Sequence, residues 1–140
     1  MSTQLKILVA DPQGEQRSLI EKNVNTLGYY RVMSVSSFRE LVTLIRYSSE
    51  SLERFDLLIL NADLMSAVGV DARDFCLGNP QLRHVLIYEL HREHHRSNTF
   101  SERPRQQVRL IRTPDRKALV DFLLLIDPSF SVAPAQYWLN

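Results

Sequence analysis

Phe55-Asp56-Leu57-Leu58-Ile59-Leu60-Asn61-Ala62-Asp63-Leu64-Met65 is the stretch that decides the fold. Leu57 to Leu60 are four aliphatic residues in a row, with no helical stripe. So short an apolar run, ending in a polar cluster, suits a strand buried on both faces. In an open parallel sheet such a strand presents its chemistry at its C-terminal end. Here that end offers Asn61 and then Asp63.

The segments on either side fit around that strand. Upstream, Leu5–Ala10 reads as a first strand, ended by Asp11-Pro12, a cap-like pair that opens a helix. Leu19, Ile20, Val24 and Leu27 form its apolar stripe, and Gly28 stops it. Tyr30–Val35 reads as a second strand. Ser37-Phe38-Arg39-Glu40 has capping-box spacing and starts a second helix carrying Leu41, Val42 and Ile45. Downstream, Ser66–Gly69 reads as a loop and Asp71–Leu77 as a short helix. His84–Glu89 reads as a fourth strand and Val108–Arg112 as a fifth. The polar stretch Leu90–Gln107 between them is ambiguous, and Pro104 breaks any long helix there. Thr113-Pro114 opens a last helix to about Ile126. Alternation of strands and helices implies a parallel sheet with helices on both faces. The expected division is a domain over 1–126 and a tail over 127–140.

Composition narrows the class. The chain has 140 residues, 44% hydrophobic and 24% charged, which fits one globular domain. A single cysteine, Cys76, cannot form an internal disulfide and favours a reducing compartment. The N-terminus lacks a signal-peptide layout, and no apolar run reaches the roughly 20 residues that span a bilayer. The expected location is the cytoplasm. Net charge is +1, so overall charge points to no polyanion partner. Between Arg83 and Lys117, however, nine basic residues stand against four acidic ones.

The order and spacing of these elements resemble the receiver domain of bacterial two-component response regulators, over about residues 5 to 126. The resemblance implies an α/β, flavodoxin-like, doubly wound five-stranded parallel sheet of order 2-1-3-4-5. It also implies a phosphorylation pocket at the strand ends. Asp56–Asn61 matches the strand that ends in the phosphoaccepting Asp, and Gly69 falls at the loop glycine. The family's chemistry implies two acids after the first strand, an acceptor Asp, a hydroxyl after the fourth strand and a Lys after the fifth. At those positions this chain carries Asp11-Pro12, Asn61, Glu89 and Arg112. An amide is no nucleophile towards a phosphoryl donor. A hard cation wants several charged oxygens, and Asp11 alone is a weak site. A carboxylate at Glu89 repels phosphate, and Arg112 is free to pair with Glu89 or Asp11.

The expectation is therefore a degenerate pseudo-receiver. It is not an enzyme, needs no cofactor or metal, and signals by binding a protein without being phosphorylated. The partner is a histidine kinase, a cyclase-type enzyme or a transcription factor. The resemblance implies a partner or homodimer face on the fourth helix, fifth strand and fifth helix, roughly Leu90 to Ile126. Arg92, Arg96, Arg103, Arg105 and Arg109 are candidate contacts there, with Tyr137 and Trp138 as aromatic anchors. The alternatives are a small flavodoxin-like enzyme, or the N-terminal regulatory domain of a longer DNA-binding or cyclic-dinucleotide regulator.

Other signals have competing readings. Asp11 is a residual metal ligand or a helix cap. Asp63, two residues past Asn61, is a displaced acceptor or a bystander. His91, His94 and His95 have the spacing of one helical face and could bind zinc, but no Cys accompanies them. The arginines could meet nucleic acid, yet no helix-turn-helix pattern follows. Cys76 reads as a core residue.

Overall fold

In the computed structural model, which describes residues 5–50, 54–89, 98–101 and 106–131, the central strand β3 (Leu57–Asn61) is buried at every position, as its unbroken aliphatic run requires. The elements before it are β1 (Ile7–Ala10), α1 (Gly14–Thr26), β2 (Val32–Val35) and α2 (Phe38–Glu50). After it come α3 (Ala62–Ser66), α4 (Ala72–Leu77), β4 (His84–Tyr88), β5 (Asn98–Ser101), β6 (Gln107–Ile111) and α5 (Arg116–Ile126). The sheet order is β2-β1-β3-β4-β6-β5. Its five parallel strands, β2, β1, β3, β4 and β6, run in the flavodoxin-like order 2-1-3-4-5.

One strand is an addition to the expected five. β5 lies antiparallel on the outer edge of β6, with a register shift between Thr99 and Ser101. It falls in the stretch whose polar composition left its structure open. Arg92, Arg96, Arg103, Arg105, Tyr137, Trp138 and the group His91, His94 and His95 lie outside the described residues.

Strand alternation divides the core into two layers. Leu8, Leu58, Leu60, Val85 and Ile87 face α2, α3 and α4. Ile7, Val9, Leu57, Ile59, Leu86 and Tyr88 face α1 and α5. The register Leu60↔Ile87 and Asn61↔Tyr88 brings the ends of β3 and β4 level.

Three boundaries differ from expectation. α1 begins at Gly14 and not at Pro12, with Gln13 at its N-cap position. α5 begins at Arg116, where Asp115 accepts a 2.8 Å hydrogen bond from the Ala118 N–H and supplies the cap expected of Thr113. The segment Ser66–Gly69 is partly helical, because α3 starts directly after β3. Gly28 and Gly69 both have positive φ, 100° and 74°, which explains why glycine ends those turns.

The first residues of the expected tail, from Asp127, pack on the domain. Asp127 is buried, and its Oδ2 accepts a 2.5 Å hydrogen bond from the Tyr29 hydroxyl. Its Oδ1 accepts from the Ser129 N–H and Oγ at 3.0 and 2.7 Å. The Phe130 ring lies 5.9 Å from that of Tyr29. A turn with a buried carboxyl and an aromatic anchor is thus packed on the α1/α5 layer. Burial raises the Asp127 carboxyl, but the bonds from Tyr29 and Ser129 outweigh it and hold it below its ordinary range. A depressed carboxyl contributes stability above its unfolded value of about 4, and loses it as pH falls through the folded value. Tyr29→Phe should cost about 1.5–3 kcal/mol in urea unfolding at pH 7, and less near pH 3. An equal loss at both pH values would show that the ionised form of Asp127 gains nothing from the Tyr29 hydroxyl.

Candidate functional site

The three strand ends β1, β3 and β4 meet on the α1/α5 side of the sheet. The period of two puts Asp11, Asn61 and Tyr88 on that same side, continuing Val9, Ile59 and Leu86. All three are buried, Asp11 completely. Asp11 Oδ2 accepts from Asn61 Nδ2 at 3.1 Å and from the Tyr88 hydroxyl in a short hydrogen bond. Asp11 Oδ1 accepts from the Gln13 N–H at 2.7 Å. The Asp11 carbonyl accepts from Arg17 Nη1 at 2.8 Å, which brings a guanidinium beside the cluster.

Each group of Asn61 is also used. Its Nδ2 donates to Asp11, and its Oδ1 accepts the Asp63 N–H at 2.8 Å, making Asn61 the N-cap of α3. Burial pushes the Tyr88 phenol well above its ordinary value, and the bond to Asp11 pushes it further; Arg17 opposes this. Tyr88 therefore keeps its proton at neutral pH and acts as a donor. The cluster is a closed polar network with both carboxyl oxygens engaged. It holds an amide and a protonated phenol against one carboxyl. Among the described residues, no group of three or more His, Cys, Asp or Glu side chains could hold a metal ion.

The expected pocket residues divide between two places. Asp11 and Asn61 come together as anticipated. Asp11 is not the N-cap of α1; it fixes the Gln13 amide before that helix and is bonded across the sheet. Asp63 is half-buried in the first turn of α3. It is Tyr88, not Glu89, whose side chain reaches Asp11, because alternation sends residue 89 to the opposite side of the sheet. Glu89 instead lines a cleft of about 310 Å³ with Ser66, Asp71, Arg73 and Ile87. Arg112 is exposed just past β6 and forms no ion pair with Asp11 or Glu89. Arg109 is half-buried, with its guanidinium 5.9 Å from the Phe122 ring centroid, so part of its surface is committed to α5. Cys76 is buried in the other layer, and that burial pushes its thiol up to about 12, where it is no nucleophile at neutral pH.

Tyr88 and Arg17 are the members that sequence reasoning missed. A signal existed for Tyr88: a tyrosine ending a buried strand needs a partner for its hydroxyl. No model of a known protein family matches this sequence, and comparison with curated proteins finds no significant match.

Proposed function

We propose that this chain is a receiver-like signalling domain that works without phosphorylation, by binding a protein partner in a bacterial regulatory pathway. The observation that carries the reading is the occupied Asp11 carboxyl. It stands at the strand ends where a receiver would hold its cation, and Asn61, Tyr88 and the Gln13 amide engage both of its oxygens. A network satisfied internally has no call for a phosphoryl group or a cation. It leaves surfaces as the means of signalling. The α5 side supports this, since Leu124 and Leu125 are 53% and 48% exposed on the helix whose Phe122 ring meets the half-buried Arg109. A kinase, a cyclase-type enzyme or a transcription factor fits such a face, as does a second copy of the chain. Among the described residues no helix is long and apolar enough to cross a membrane.

The test is incubation with acetyl phosphate and magnesium, read by intact mass. No phosphoryl adduct is expected, and magnesium in the low millimolar range should not raise the melting temperature. An adduct mapped to Asp63 overturns the reading.

A further inference from the structure

α2 has thirteen residues, whereas α4 beside it has six and stops at Gly78. The shorter helix leaves part of the apolar face of α2 uncovered. A groove of about 530 Å³ results, floored by Phe38, Val42 and Phe75, with the two rings packed edge-on at 5.5 Å. Arg46 lies on its rim. Gln81 joins it to a second open hollow of about 590 Å³, at the N-terminal edge of the sheet, lined by Arg54, Pro80 and Arg83. The three arginines are exposed, and none makes an ion pair or side-chain hydrogen bond among the described residues. No acidic residue lines either hollow among the described residues.

We infer that this groove between α2 and α4 docks an acidic peptide segment of a partner protein, with an apolar side chain on Phe38, Val42 and Phe75 and carboxylates on Arg46, Arg54 and Arg83. The occupant follows from complementarity. An apolar floor removes one large side chain from water, and a cationic rim with no counter-charge among the described residues favours acids on either side of it. The surface is an open groove with arginines spread along it, which suits an extended or helical segment better than a compact ligand. Arginine also suits carboxylates by its bidentate fork. The inference rests on the proposed function only in having the chain act by binding a protein.

The test is selection of random dodecapeptides, displayed on phage, against the intact chain in magnesium, with and without acetyl phosphate. The expected peptides carry two or more acidic residues beside an aliphatic or aromatic one. Once synthesised and labelled, they should lose about tenfold or more in affinity, by fluorescence polarisation, on Arg54→Glu/Arg83→Glu. They should lose a similar amount on Val42→Asp and weaken as salt rises. Lys22→Glu/Arg116→Glu, on the α1/α5 side, should leave affinity within about twofold. Circular dichroism confirms that each variant is folded. The proposal is overturned if no peptide is enriched, if those enriched lack acidic residues, or if the groove substitutions leave their affinity unchanged. It is also overturned if a mononucleotide, and no peptide, titrates the groove. Binding that appears only with acetyl phosphate, together with a phosphoryl adduct, defeats the phosphorylation-independent reading and leaves the groove standing. Absence of both peptide and adduct defeats the groove alone.

Discussion

Asp11→Ala is expected to cost about 3–5 kcal/mol of stability, the largest loss of any single substitution at the strand ends. The alanine strands two buried donors at once, the Asn61 amide and the Tyr88 hydroxyl, both of which are directed at Asp11 Oδ2. An orphaned buried donor costs about 1–3 kcal/mol, and the Gln13 amide loses its acceptor as well. For a domain with about 5–15 kcal/mol in hand, such a loss is a large fraction of the whole. Urea unfolding of Asp11→Ala, Tyr88→Phe and the double variant measures it. The double variant should recover about 1 kcal/mol or more relative to the sum of the singles, because Tyr88→Phe removes one of the stranded donors. Strict additivity, or a loss under about 1 kcal/mol for Asp11→Ala, would show that the network does not hold the strand ends together.

Asn61→Asp is the second large effect, and its sign depends on pH. The substitution puts a second carboxyl about where the Asn61 amide sits, 3.1 Å from Asp11 Oδ2, in a site only 2% exposed. Two carboxyls so close cannot both ionise, and the proton they share is held more tightly than in the unfolded chain. A folded pKa raised above the unfolded value of about 4 means that the folded form binds extra protons. The variant should therefore be close to wild type below about pH 4 and lose stability as pH rises through the raised folded value. At pH 7.5 the deficit should be about 2–4 kcal/mol. Thermal unfolding between pH 4 and pH 8 checks it. A variant whose deficit is flat across that range would place the new carboxyl in solvent, away from Asp11.

Sequence carried the fold because the parallel strands declare themselves. Leu57–Leu60 and Val85–Tyr88 are unbroken apolar runs, buried almost entirely, and their spacing leaves room for a helix between. β5 was not legible, since Asn98–Ser101 has no alternation that separates it from a loop, and its pairing with β6 is a tertiary event. The site was half legible. Asp11 and Asn61 stand out as polar residues ending apolar runs. Choosing between Tyr88 and Glu89 required the sheet register, because a shift of one residue exchanges the two faces. Asp127 and Phe130 read as a tail because the helix stripe ends at Ile126. Their partner, Tyr29, lies 98 residues away from Asp127 in the chain.

The Asp11 cluster has a consequence for how this chain finds one arrangement of its strands. β1, β3 and β4 carry aliphatic runs of four, four and three residues, so oily side chains alone distinguish poorly between one alignment and its neighbours. The carboxyl distinguishes sharply. Sliding β3 against β1, or β4 against β3, by one residue turns Asn61 or Tyr88 to the other side of the sheet and leaves Asp11 sealed in without that donor. The cluster thus works as a proofreader of alignment, rejecting near-miss pairings that an all-aliphatic sheet would tolerate.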